Sequence, residues 1–534
     1  MFRVFSSATL RPVLVFVGLA LSLSGSAAAQ CDSLNNGSFN VGANWSCGFV
    51  PGPTNTVRVF HSIDSTTDVG VDSLDVFPGG VLTMNGFPLE IEVSTMVIHP
   101  GGTLTGGPSS SIYITSPPGL PFDITNDGVI SAGAPGGDIF IHDGGPGGDL
   151  PCPSGSRVTS SNGAFLAAGV DGNVYILADQ VDLIDAWVEA GSGSVPYNAI
   201  CRSVAGSVYI AGVTVILDGN TQIYQGLNSN GAPPPVWCPG ASAADGSVNV
   251  LALACNSAAG ILNINGSTVV GHPMATSPSQ CATVFGTTSI IAGSATINGS
   301  GAGCVYWDPP LLALADDATL EAGDITVAGE DLDASGLAAR TLPTPALDAA
   351  DTLEIRLQPG GELNLQNLTP GNAYFQAGSQ IIIAADEDQI LTDPGVALEE
   401  LMDPAPELVR ARHTYVVTLN PDSERQVTPG STVEHPIIAS SLSTGTGLVE
   451  LYVEDSEGWL QGGPISVGAN RDPGEALLRT LTLNVPASAA PGTGTVVKAV
   501  ASINGGPPVS SVAIFRVAKP GKGRGSWEST PPRR

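Results

Sequence analysis

Acid–base chemistry is most tightly grouped at Asp316-Asp317, the one adjacent aspartate pair in the 534-residue chain. Two close carboxyls can act as acid and base, or acid and nucleophile, in glycosidic hydrolysis, so both are candidate catalytic residues. The background weakens that reading. Residues 30–409 hold 39 of the 49 Asp and Glu, and neighbouring acids arise by chance in such a stretch. Metal chemistry has one candidate: Asp331-Leu-Asp-Ala-Ser-Gly336 matches the start of a calcium loop, with Asp331, Asp333 and Ser335 as oxygen donors. Its twelfth position is Leu342, where an EF-hand requires a bidentate Glu. An EF-hand is therefore excluded; a looser calcium site remains, with a solvated Asp-rich turn as the alternative. Asp386-Glu-Asp388 is a weaker candidate of the same kind. The histidines (61, 99, 142, 272, 413 and 435) are isolated, and no His-Glu-x-x-His, Gly-x-Ser-x-Gly or Walker A pattern occurs.

Binding chemistry is better represented. Tyr197, Arg202, Trp237, Tyr306 and Trp307 fall in segments read as loops, and two of the chain's six Trp are among them. A row of exposed rings suits the apolar face of a sugar, although loop aromatics also serve to fill small local cores. The same loops carry Cys152, Cys201, Cys238, Cys281 and Cys304, and Cys31, Cys47 and Cys255 complete a set of eight. No Cys-x-x-Cys occurs, which argues against zinc ribbons and redox motifs; eight cysteines allow 105 pairings.

What must position these loops is a repeat. Asp138-Ile-Phe-Ile141 returns as Asn173-Val-Tyr-Ile176, Ser207-Val-Tyr-Ile210 and Ser247-Val-Asn-Val250, at intervals of 35, 34 and 40 residues. Pro78-Gly-Gly-Val-Leu-Thr83 returns as Pro100-Gly-Gly-Thr-Leu-Thr105, a step of 22. Short β-branched strands, Gly corners and a 22-residue step predict a parallel β-solenoid, with an array of β-sandwiches as the competing arrangement. Stacked rungs would place loops from equivalent corners on one face.

Composition bounds the rest. With 67 Gly, 42 Pro and no sustained helical periodicity, the chain reads as all-β. Residues 30–409 contain five Arg (58, 157, 202, 340, 356) and no Lys, a balance of −34, so a nucleic-acid partner is not expected. Arg3, Arg11, the apolar run Val13–Leu23 and Ala27-Ala28-Ala29 read as an export signal, and no later run is long enough to insert in a membrane. An even cysteine count fits an exported, disulfide-permissive setting: extracellular, cell-surface or periplasmic. The expected organisation is a signal peptide at 1–29, a cap at 30–60, a β-helix at 61–390 and a linker at 391–409. A β-sandwich at 410–517 and a basic disordered tail at 518–534 follow.

Two stretches carry resemblances. Asn44-Trp45-Ser46-Cys47-Gly48, Pro51 and the strand Val57-Arg-Val-Phe60 resemble the opening of bacterial secreted β-solenoid proteins of the right-handed parallel β-helix, pectin-lyase-like kind. The resemblance implies that Trp45 caps the first rung, and a Cys31–Cys47 bridge would hold it there. Asp455-Ser-Glu-Gly-Trp459 and Val485-Pro-Ala-Ser-Ala-Ala-Pro-Gly-Thr493 resemble Ig-like domains of the adhesion-related CARDB kind. Many parallel β-helix proteins cleave polysaccharides, but a uronate lyase needs cations that this chain lacks. His272 stands in Gly-His-Pro where related hydrolases have Gly-His-Gly, and their Arg-x-Lys is missing. The expectation is a non-catalytic display, adhesion or glycan-binding protein. A polysaccharide hydrolase with an acidic site and a calcium-stabilised surface scaffold are the alternatives.

If the bridges staple loops only, reduction should disorder loops before rungs. Loop amide protection should fall at dithiothreitol concentrations that leave the far-UV β-signal intact; simultaneous loss of both would contradict this.

Overall fold

The computed structural model describes residues 29–517, apart from 86–88, 109, 118–119, 135, 143–154, 170–171, 193–201, 227–241, 245–247, 253–260, 271–281, 287, 298–303, 308–310, 317, 323, 342, 411–414, 416, 420–422, 442–445, 473–474 and 507. The chain is all-β, and the helical elements among the described residues are four short 3-10 turns. Up to Val409 the strands pair in parallel, and those of the main stack pair with the equivalent strand in the neighbouring repeats.

Three ladders result. In the first, Ile114, Ile141, Ile176, Ile210 and Val250 stand in register. In the second the column is Ile124, Val158, Val181, Val215 and Leu262. In the third it is Leu104, Ile130, Leu166, Val188 and Ile223. All of these side chains are buried in one continuous core. The cause is the period-2 alternation of a strand: parallel register repeats it, so every inward β-branched residue meets its like above and below. The repeats Asp138, Asn173, Ser207 and Ser247 precede consecutive strands of the first ladder, so each interval of 34–40 residues is one rung plus its loops.

The corner from the third ladder to the first is lined by glycine. A chain of backbone bonds of 2.7–3.0 Å runs down it: Ser110 N–H to Gly107, then Gly133 to Ser110, Gly137 to Gly133, Gly169 to Gly137, and Gly172 to Gly169. It continues from Gly191 to Gly172, Gly206 to Gly191 and Gly226 to Gly206. The approach leaves no room for a side chain. A β-carbon at Gly206 would fall onto the carbonyl of Gly172, and one at Gly172 onto that of Gly137. Gly191 and Gly206 bracket the excursion 192–205 and close its base.

The N-terminal segment joins the ladders directly. Gln30–Asp32 pairs with Thr56–Val59, Cys31 and Cys47 form a disulfide, and buried Trp45 donates its indole N–H to the Phe39 carbonyl at 2.8 Å. The stretch 391–409 is not a linker. Met402–Asp403 pairs with Phe375–Ala377 and Glu407–Val409 with Gln380–Ala384, adding a last rung. Its strands are only two and three residues long, too short to show alternation amid Pro and Asp.

Beyond it, Val417–Leu419, Thr432–Ser441 and Ala476–Asn484 form one antiparallel sheet. Ser423–Val427, Val509–Val517, Gly494–Ile503, Gly447–Asp455 and Ile465–Arg471 form another, antiparallel except for Ser423–Val427. Val433, Leu477 and Leu481 from the first share a core with Val449, Leu451 and Phe515 from the second.

This two-sheet unit packs on the first ladder. Tyr113, Phe140, Tyr175 and Tyr209 lie on that ladder's outer face with centroids 4.8, 4.5 and 6.3 Å apart. With Ala211 and Leu251 they form a buried cluster with Ile438 and Leu478. The strands beneath are therefore buried on both faces, as parallel sheets usually are. Tyr209 is completely buried beside Ser440, and burial pushes its phenol above the usual range.

Two outcomes follow. Gly206→Ala should lower unfolding free energy by about 3 kcal/mol. Gly52→Ala, whose nearest neighbouring atom would be 4.0 Å away, should be near neutral; urea midpoints would compare them. The raised Tyr209 value favours the neutral phenol in the folded state. That contribution is complete below about pH 10, the unfolded value, and is lost as pH climbs toward the folded one. Tyr209→Phe should therefore flatten the loss of stability between neutral pH and pH ~11. An unchanged alkaline slope would contradict the assignment.

Candidate ligand-binding surface

The acidic candidates have structural positions. Asp316 lies exposed in the turn after Leu311–Leu314; Asp317 lies outside the described residues. Arg340 is spent on this turn's backbone, donating to the carbonyls of Asp316 at 3.2 Å and Ala318 at 2.6 Å. Asp331 accepts the Glu362 N–H at 2.9 Å, and Asp333 accepts the Ser335 N–H at 3.0 Å and the Asn364 amide at 3.1 Å. These carboxylates tie one rung of the second ladder to the next. Among the described residues no group of three His, Cys, Asp or Glu side chains is arranged to hold a metal.

Of the aromatic candidates, Tyr197 and Trp237 lie outside the described residues, as do Cys152, Cys201, Cys238, Cys255 and Cys281. Cys304, Tyr306 and Trp307 are not in a loop. Cys304–Trp307 is a strand of the first ladder, paired with Asp324–Asp333, which accords with the strand preference of Val-Tyr-Trp. Arg202 opens the strand Arg202–Val204, which pairs in parallel with Ser242–Ala244. These strands belong to consecutive excursions from the glycine corner and run side by side; the segment 143–154, which holds Cys152, instead joins the first ladder to the second, so the expected loops do not all leave one corner.

The described residues offer a ring cluster that the sequence reading did not single out. Phe165, Trp187 and Tyr224 come from three successive strands of the third ladder, on its outer face. Trp187 is 38 % exposed. Phe165 is tilted against it at 6.1 Å and Tyr224 stands nearly perpendicular at 5.4 Å, so the exposed indole is flanked by two rings. The indole N–H donates to Glu189 Oε2 at 3.2 Å, and the Tyr224 hydroxyl donates to Gln222 Oε1 at 2.8 Å. Partial burial, then the charge of Glu189, pushes the Tyr224 phenol up. An aromatic face rimmed by a carboxylate and an amide can stack on an apolar ring face and bond its hydroxyls. The 22-residue step from Phe165 to Trp187 matches the step between the Pro-Gly-Gly corners and would have revealed the pair. Tyr224 was hidden by the excursion inserted before it.

No protein-family model and no curated protein matches the chain. Among solved structures, Spo0M, a sporulation control protein from Bacillus subtilis, aligns at 14% identity and a TM-score of 0.14, over 20% of this chain and 50% of that one. The aligned region thus spans half of that protein's length, and a likeness at this level bears no structural argument.

Proposed function

We propose that this chain is an exported, non-catalytic glycan-binding and loop-displaying protein. Its body is a right-handed parallel β-helix of the pectin-lyase-like kind, carrying a CARDB-like Ig sandwich. The three parallel ladders and the two-sheet unit support that architecture, and the Cys31–Cys47 disulfide is consistent with an extracellular setting. One observation carries the binding assignment: Trp187 stands partly exposed on a rigid strand between Phe165 and Tyr224, with Glu189 and Gln222 at its rim. A ring held by a ladder needs little ordering on binding, which favours a weakly attached, repetitive ligand such as polysaccharide. The glycine corner supports the display role, because excursions of different length leave it without disturbing the rungs.

The mature chain should retain polysaccharide in pull-down and calorimetry without releasing reducing or unsaturated sugars. Trp187→Ala should weaken binding about tenfold, the loss of one stacked ring face. Released product would replace this reading with a hydrolase or lyase. Unchanged binding in Trp187→Ala would move the site elsewhere.

A further inference from the structure

Resting on the glycan reading, we infer that the Trp187 surface selects neutral polysaccharides and rejects polyuronates and sulfated glycans. The selectivity lies in where the charges sit. The carboxylate at the ring edge is Glu189, held there by the indole N–H at 3.2 Å. A sugar stacked on Trp187 places its substituents against that carboxylate, and an anionic substituent would meet a like charge at close range.

Compensating cations are scarce. Residues 30–409 contain five Arg and no Lys, against 39 acids. Arg58 is paired with Asp32, Arg157 with Asp182 and Arg356 with Glu354, while Arg340 is engaged with backbone carbonyls. Arg202 is the fifth, one charge set against a strongly acidic body. Rejection at such a site is specificity built from repulsion, with the aromatic stack supplying an attraction common to both ligand classes.

The polar rim fits the same class. Gln222 and Glu189 offer acceptors and an amide donor for sugar hydroxyls, whereas carboxylate or sulfate recognition calls for Arg forks, which the described rim does not contain.

The test compares a neutral β-glucan or xylan with polygalacturonate and a sulfated galactan on the full mature chain, at about 0.01 M and about 1 M NaCl. The neutral polymer should bind with little salt dependence. The polyanions should bind at least about tenfold more weakly at low salt, and this ratio should shrink at high salt, where the screening length falls to about 3 Å. Glu189→Gln should narrow the low-salt ratio severalfold. Stronger binding of a polyanion at low salt, or a ratio indifferent to salt and to Glu189→Gln, would overturn the inference and leave glycan binding standing. Failure of every polymer to bind would overturn the glycan reading itself.

Discussion

The backbone contacts at the glycine corner are the constraint on which the rest depends. A stack of parallel strands must turn at each rung, and here one corner does so by letting successive turns hydrogen-bond through their own main chains. From Ser110 to Gly226 each N–H of the column finds a carbonyl in it, which satisfies groups that a buried turn would otherwise leave unpaired. The geometry admits no β-carbon at Gly172 or Gly206. Glycine is costly to order, and its use here identifies the place where close approach outweighs that cost. Because Gly191 and Gly206 close on each other, what lies between them is free to vary in length without moving the strands on either side.

Closure at the corner explains how the three ladders can differ outside while sharing one core. The first ladder turns rings outward, and the C-terminal two-sheet unit covers them, with Ile438 and Leu478 meeting Tyr113, Phe140, Tyr175 and Tyr209. The second carries side-chain ties between rungs: Asp32 with Arg58, Asp182 with Arg157, Asp333 with Asn364. Partly exposed ion pairs of this sort add little stability each. Their more definite effect is on register, since a slip by one rung would separate every partner.

Much of the architecture was legible because it is periodic. Inward positions repeat as Ile, Val and Leu, corners repeat as Gly, and the 22-residue step is the length of one uninterrupted rung. What could not be read was any property set between distant segments. The contact of Tyr209 with the region of Ile438 and Ser440 joins residues more than 200 positions apart and leaves no local pattern. The short strands Met402–Asp403 and Glu407–Val409 are strands because a ladder awaits them, not because their sequence favours it. Trp307 shows the opposite error: a Cys-rich setting suggested a loop, while Val-Tyr-Trp itself favoured a strand.

The ring cluster around Trp187 was missed for a related reason. Aromatic residues in loops attract notice because nothing else explains them, whereas Phe165, Trp187 and Tyr224 sit in strands where a ring is ordinary. Their meaning depends on which face they occupy. On the first ladder, rings of the same kind are sealed under the two-sheet unit and contribute to packing. On the third, Trp187 remains 38 % exposed. Rings of the same kind thus serve packing within the molecule on one face and stand exposed on another. The division is decided by where the C-terminal unit docks rather than by the rings themselves.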